Sequence, residues 1–533
     1  MSYLRSHPHR FVFLLALVLV FAFQGTRSLW DPTEGRFSNV ALQMLSTGDF
    51  ISLYRHPETL HFTKPPVTYW AIAGSVAAFG WNEWAARLPN ALAFLVVVAL
   101  LLRIGRHFAP RRPWLPALVY ATLPIPLLGA HIISTDTMLA ATTTLAFAGY
   151  AIARFESRPA FILLMWVGFG LAFLTKGPPG LLGLAGILLF HWLQPGGPRL
   201  FPPLGLLLFA LVGLSWFVVV VARHEGLLAY FVGYEVVARI ATDTHGRYPE
   251  WWGGFYVYGL TLGLGLLPWW PWALLAARRV GLRWREAEPE TRLLLCWIGV
   301  AMLVFMVAQS RLPLYVLPLF APFALLIGRA LQDAHFGSLR KGLVAGIAVF
   351  AVGIKGLAAY KPEVARALPD HIGERMAVHK VSSLWAEELA RLGVPRPEEI
   401  GFVADWGRYG LHLYTGASIE LLVFEGDPDA RPISDSDFDD LLADDLREPG
   451  VTEQVFVMRP ESEERFAATA LEAGWQALRL GTIHERAIYR LLPLPPEAPE
   501  VPESAEAPES FESSGAPASP EAAASRTATA APG

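Results

Sequence analysis

Trp30 to Phe50 reads W-D-P-T-E-G-R-F-S-N-V-A-L-Q-M-L-S-T-G-D-F, His61 to Trp70 reads H-F-T-K-P-P-V-T-Y-W, and Phe79 to Pro89 reads F-G-W-N-E-W-A-A-R-L-P. The stretch is polar, yet apolar runs at 11–29 and 85–105 flank it, each about as long as a 30 Å hydrocarbon core requires. It is therefore a long loop held against one face of a membrane. Charges of both signs, Asp31, Glu34, Arg36 and Lys64, stand in it beside aromatic residues.

The whole chain agrees with that reading. Of its 533 residues 53% are hydrophobic and only 17% charged, the composition of a multi-spanning membrane protein. Further apolar segments run 114–131, 137–154, 160–175, 178–194, 201–222, 253–276, 291–309, 312–330 and 341–360. A shorter one, 65–80, opens with Pro65-Pro66. If it does not cross, the basic loops around Arg103, Arg106, Arg111, Arg112, Arg154, Arg158, Arg199, Arg278, Arg279 and Arg340 all fall on the N-terminal, cytoplasmic side, as the positive-inside rule demands. We therefore expect 65–80 to be juxtamembrane or re-entrant, with about 11 to 13 spans by length. Gln24 to Arg27 lacks a small-x-small cleavage site, so 11–29 is expected to be a retained span rather than a signal peptide.

After Tyr360 the pattern changes. Strand-like runs at 401–404, 419–424, 455–458 and 487–491 alternate with helical stretches at 382–392 and 463–473. The expectation is an all-α polytopic membrane protein with a small C-terminal extracytoplasmic α/β domain. Residues 1–361 would form the membrane part, with the loop 30–84 outside, and 362–492 the soluble domain. Residues 493–533, rich in Pro, Ala, Glu and Ser, would be a disordered tail. The single cysteine, Cys296, excludes an intramolecular disulfide and a thiolate metal site. A net charge of -4 without basic blocks or stacking modules argues against a nucleic-acid partner.

The predicted topology gathers polar residues from separate outer loops. Asp136 stands in Ser134-Thr135-Asp136-Thr137 between two apolar spans, where a carboxylate is costly unless paired or used; it would serve equally as an N-cap. Lys64 precedes Pro65-Pro66 and Lys176 precedes Gly177-Pro178-Pro179. In both, proline starts a helix just after the cation, so an anion could meet the ammonium together with free amides. A lysine snorkelling to the interface is the plainer alternative. His245 and Arg247 lie in the aromatic loop before Trp251-Trp252, itself readable as an interfacial belt. Arg311 and Tyr315 open another span.

Taken in order, D-P-T-E-G-R-F, F-T-K-P-P-V-x-Y-W, F-G-x-N-E-x-x-x-R-L-P, S-T-D-T-M-L, F-L-T-K-G-P, H-x-x-Y-P-x-W-W and R-L-P-x-Y-x-L-P-L resemble the polyprenyl-phosphate-dependent GT-C glycosyltransferases. The likeness covers about residues 10 to 330 and is strongest toward the bacterial lipid A aminoarabinose transferases and the protein O-mannosyltransferases. It implies a glycosyltransferase of the bacterial inner membrane, with active site and C-terminal domain on the periplasmic side. The donor would be a sugar on polyprenyl (undecaprenyl) phosphate and the acceptor lipid A, another envelope glycan or lipid, or a polypeptide. It further implies Asp31, Glu34 and Asp136 as catalytic acids, Arg36, Lys64, Arg247 and Tyr315 at the donor phosphate with Lys176 and Arg311 beside them, and a divalent metal with His245 as a ligand.

Two departures from the family pattern stand out. Thr33-Glu34 replaces Asp-Glu before the arginine, and Thr63 replaces the glutamate before Lys-Pro-Pro that would share the metal. The competing reading from another class is a lipid or solute transporter, which would set ionisable residues at mid-membrane on broken helices.

Overall fold

The computed structural model describes residues 7–31, 33–233, 248, 250–281, 286–333, 338–361, 382–426 and 440–494. The chain up to Pro493 packs as one unit, helical first and closed by a six-stranded sheet. Among the described residues six helices are long and apolar enough to cross a membrane: Glu83–Phe108, Thr135–Phe155, Pro203–Arg223, Pro289–Val307, Pro313–Leu331 and Gly342–Tyr360. Four shorter apolar helices accompany them, Pro8–Phe21, Val67–Phe79, Phe161–Lys176 and Pro178–Leu193. We label Pro8–Phe21 α1, Thr33–Thr47 α2, Val67–Phe79 α3, Glu83–Phe108 α4, Thr135–Phe155 α5 and Phe161–Lys176 α6.

Two expected spans are not single helices. Segment 114–131 is broken into Leu115–Ala121 and Pro124–Ala130, and 253–276 into Gly253–Gly265 and Trp270–Gly281. Proline accounts for both breaks: Pro124, Pro126, Pro268 and Pro271 lack the amide that would continue the ladder, and their rings crowd the preceding turn.

Contacts with the sheet domain bracket helix α3. Asp31 before it and Glu83 after it both contact the short segment Gly410–Tyr414 of the sheet domain: Gly410 N–H donates to Asp31 and Tyr414 Oη to Glu83 Oε1 at 2.8 Å. A crossing helix would have placed those two residues on opposite faces. With 13 residues it is about 20 Å long, short of the core thickness.

Two groups of charged residues occupy opposite ends of the same helices. At one end of α4 and α5, Glu156 accepts from Arg103 at 2.8 and 3.1 Å, Arg106 at 2.6 Å and His107 at 2.8 Å, while Arg111 pairs with Asp333. The other end of α4 carries Arg87, and that of α5 carries Asp136. Twenty-one helical residues separate the ends of α5 by about 30 Å. The two helices α5 and α6 lie close because Gly168 faces Ala146, where a Cβ would sit 2.5 Å from the Ala146 amide nitrogen.

The sheet has strand order β3-β2-β1-β4-β6-β5. Strands β1 (Glu399–Val403), β2 (Ser418–Val423), β3 (Asp440–Leu441) and β4 (Gln454–Met458) run parallel, and the hairpin of β5 (Trp475–Ile483) and β6 (Arg486–Pro493) adds antiparallel to β4. Alternation sends Ile400, Phe402, Ile419, Val455 and Val457 to one core, and Val403, Leu422, Phe456 and Met458 to the other. The small C-terminal α/β domain thus has the layered form its pattern implied. It is fastened to the loop 30–84 by Asp31 and Glu83, by His412 Nδ1 against Asn39 Oδ1 at 2.6 Å, and by the Leu29 amide donating to Tyr414 Oη at 2.8 Å.

Candidate functional site

Asp136 lies in the first turn of α5, whose N-cap is Ser134, so it is not the cap. Instead its Oδ1 accepts from Lys176 Nζ, delivered by the last turn of α6. Both side chains are largely withdrawn from solvent. The Lys176 ammonium also stands 4.2 Å from the centre of the Tyr315 ring, which enters from the 3-10 turn Pro313–Leu319. Tyr258, on Gly253–Gly265, completes the group: it is buried within electrostatic reach of Tyr315, Arg311 and Asp136, and its hydroxyl has no hydrogen-bond partner among the described residues. Arg311 is buried beside it and donates to the carbonyls of Tyr248, Glu250 at 2.9 Å and Met306 at 3.1 Å, which leaves its Nε without a partner among the described residues. Four elements distant in sequence therefore bring Asp136, Lys176, Tyr315, Arg311 and Tyr258 together. Tyr258 is the member the sequence reading missed; it sits in an apolar helix with no motif around it.

Glu34 and Asp31 are engaged in a different way. Glu34 is buried between two guanidiniums, Arg27 at 2.6 Å and Arg87 at 2.9 Å, and also accepts from the amides of Trp30 and Ile133 at 3.1 Å each. Burial alone would raise its carboxyl, but the two guanidiniums outweigh that and hold it well below the usual range. Arg27 donates to the His131 carbonyl at 3.2 Å, and Asn90 to the carbonyls of Ile132 at 2.5 Å and Ser134 at 3.3 Å. The segment 131–134 that presents Asp136 is thus tied down from Glu34, Arg27 and Asn90. Asp31 accepts from the Gly410 amide at 3.1 Å and from Ser382 Oγ, both in the sheet domain. Burial pushes its carboxyl up to about 7, against the lowering pull of Ser382, Gly410 and Arg408.

Gly35 permits this contact, since a Cβ there would stand 2.4 Å from the Gly410 nitrogen. Arg36 is partly buried with its Nε unpartnered among the described residues, and Lys64 Nζ donates to the Thr63 carbonyl. His245 and Arg247 lie outside the described residues. Position 63 offers no carboxylate to a metal, its hydroxyl standing 2.8 Å from His61 Nε2.

A family model described as dolichyl-phosphate-mannose-protein mannosyltransferase matches residues 63–222. An undecaprenyl phosphate-alpha-4-amino-4-deoxy-L-arabinose arabinosyl transferase of Aeromonas salmonicida is 32% identical over 326 residues, which is 58% of this chain and 57% of that protein. One from Pseudomonas fluorescens is 28% identical over 348 residues, 63% of this chain and 61% of its own length. The chain thus spans less than two thirds of the length of these curated relatives. The crystal structure of ArnT from Cupriavidus metallidurans bound to undecaprenyl phosphate superposes with a TM-score of 0.69 at 21% identity, covering 91% of this chain and 98% of that one. The chain shares the fold of that ArnT structure. Its apo counterpart superposes with a TM-score of 0.67. The segment 63–222 matched by the family model contains Lys64, Asp136 and Lys176, and leaves Glu34, Arg311 and Tyr315 outside.

Proposed function

We propose that this protein is a bacterial inner-membrane glycosyltransferase that moves a sugar from undecaprenyl phosphate to an acceptor at the periplasmic face, lipid A being the acceptor that the motif resemblance to the aminoarabinose transferases implies. The observation that carries the reading is the Asp136–Lys176 pair set against Tyr315, Tyr258 and Arg311 at one end of the helices. Breaking the bond between the anomeric carbon and the phosphate oxygen leaves charge on a phosphate, which needs no proton. Fixed cations suffice, and Lys176, Arg311, Lys64 and Arg36 are the candidates.

Asp136 is then the carboxylate that faces the substrate. For a hydroxyl acceptor it takes the proton as the acceptor oxygen bonds to the anomeric carbon; for a phosphate acceptor, already ionised, it orients that group or stabilises positive charge at the anomeric centre. In this reading Glu34 and Asp31 position rather than react: Glu34 fixes the segment before Asp136, and Asp31 fixes the sheet domain. No step is routed through a metal. A transporter would want its charges midway along helices, whereas Asp136 and Lys176 occupy a first and a last turn.

The family match over 63–222 keeps a polypeptide acceptor as the second reading. Mass spectrometry of lipid A and envelope glycoproteins from cells with and without the protein separates the two. An amino-pentose mass missing from lipid A supports the first, and a hexose missing from glycoproteins the second. An unchanged profile in both fractions contradicts the proposal.

A further inference from the structure

The loop 30–84 and the sheet domain meet at a second polar cluster, built from other residues than the group around Asp136. Tyr54 and Leu60 pair antiparallel, closing a tight hairpin with His56 at its tip. His56 is buried, its Nε2 3.0 Å from Glu399 Oε1 and its Nδ1 4.0 Å from Glu420 Oε1. The strand register explains why the carboxylates converge. Glu399 pairs with Ser418, so Glu420 is its diagonal neighbour on the same face, and Gly401 between them adds no side chain. One ligand atom each from His56, Glu399 and Glu420 lies within 4.8 Å of the others.

A third carboxylate closes the cluster. Asp445, from the short helix Leu442–Asp445, is buried against both Glu399 and Glu420. Its Oδ1 is 3.4 Å from Gln454 Nε2, and its Oδ2 has no hydrogen-bond partner among the described residues. Gln454 Nε2 is also 3.4 Å from Glu399 Oε2. The Glu58 amide donates to the imidazole Nδ1 at 3.5 Å. Carboxylates in mutual contact inside a protein repel unless something positive sits among them. Shared protons and a protonated imidazole are one solution; a divalent cation is the other. Ligand atoms bound at about 2.0–2.2 Å to one ion stand about 3.3–4.4 Å apart, and the three ligand atoms here lie within 4.8 Å of one another.

We propose that His56, Glu399 and Glu420, with Asp445 as fourth ligand, form a structural site for a divalent transition metal of the zinc or manganese class. An imidazole among carboxylates favours those ions over magnesium or calcium, which prefer oxygen alone. The ion pins the hairpin to the sheet, and the hairpin runs directly into His61-Phe62-Thr63-Lys64. Its task is to hold the strand that presents Lys64.

The test uses the full-length protein in detergent, stripped with chelator and titrated with Zn²⁺ or Mn²⁺, with bound metal counted by elemental mass spectrometry and unfolding followed thermally. We expect one tight equivalent in the wild type and a midpoint several degrees higher with metal than without. Affinity falls at least tenfold in His56→Ala and Glu420→Gln, while His245→Ala retains the equivalent. Should either buried variant fail to fold, Glu399→Gln at the partly exposed carboxylate gives the same answer. A wild type that takes up no stoichiometric metal overturns the site, as does an equivalent that survives Glu399→Gln or disappears in His245→Ala.

Discussion

At the scale of single residues, the carboxylates divide by what their oxygens touch. Asp136 has one cation and a ring beside it, so replacing it by asparagine removes charge from the substrate's side of the site and little from the fold. We predict that Asp136→Asn lowers transfer at least about 100-fold while leaving membrane insertion and thermal unfolding near normal. Glu34→Gln behaves in the opposite sense. It strands two buried guanidiniums, a loss on the order of 3–5 kcal/mol, and is expected to lower the unfolding midpoint by several degrees. A Glu34→Gln protein of normal stability that binds donor normally yet fails in transfer would show that Glu34 reacts directly. Tyr258→Phe, which deletes one hydroxyl unpartnered among the described residues, should keep the fold and reduce transfer, measured as initial rate with purified protein.

Residue identity was legible in the sequence where a motif surrounded it. Asp136, Lys176, Arg311 and Tyr315 were all singled out, and the structure gathers them. What was not legible is who pairs with whom. Nothing in Glu34's neighbourhood announces Arg87, 53 positions away, and nothing in Gly253–Gly265 marks Tyr258. Those choices are made by helix packing, which a local pattern does not encode.

At the scale of elements, the junction between the loop 30–84 and the sheet domain should respond to pH. The Asp31 carboxyl titrates near 7 in the folded chain, above its value of 3.8 when exposed. The folded state therefore holds this proton more tightly, and the stability it lends is present at acid pH and lost as pH rises from about 4 through about 7. Asp31→Asn removes that slope. The prediction is read as the difference in unfolding midpoint between wild type and variant from pH 5 to pH 8: the wild type falls relative to the variant as pH rises, and parallel curves would contradict it. Gly35→Ala, which drives a methyl into the Gly410 backbone, should loosen the same junction and raise protease sensitivity of the sheet domain.

The elements themselves followed from periodicity. The short apolar runs became β1, β2, β4 and β6, and the helix-like stretches became the helices at 382–391 and 463–472, while β3 and β5 went unread. The misses were at proline: two expected spans split because hydropathy averages over residues that cannot continue a helix.

At the scale of the molecule, the account rests on sidedness. The arginines around Glu156 mark one end of the helices, and Asp136, Lys176 and the sheet domain the other. With Cys296 buried as the only thiol, labelling background is low. A cysteine replacing exposed Trp251 should react with a membrane-impermeant maleimide on intact spheroplasts, and one replacing Arg158 only after permeabilisation; the reverse pattern would invert the topology. The grouping of arginines at one end was readable early because it depends on where they fall, a property of the sequence alone.

The most direct trial of the central claim is transfer by purified protein in detergent, using a synthetic undecaprenyl phosphate aminoarabinose donor and lipid A as acceptor, with product followed by mass spectrometry. The account predicts a pentose-modified lipid A from the wild type and none above background from Asp136→Asn or Lys176→Ala that are folded to the same midpoint. Wild-type product matched by either variant would contradict it.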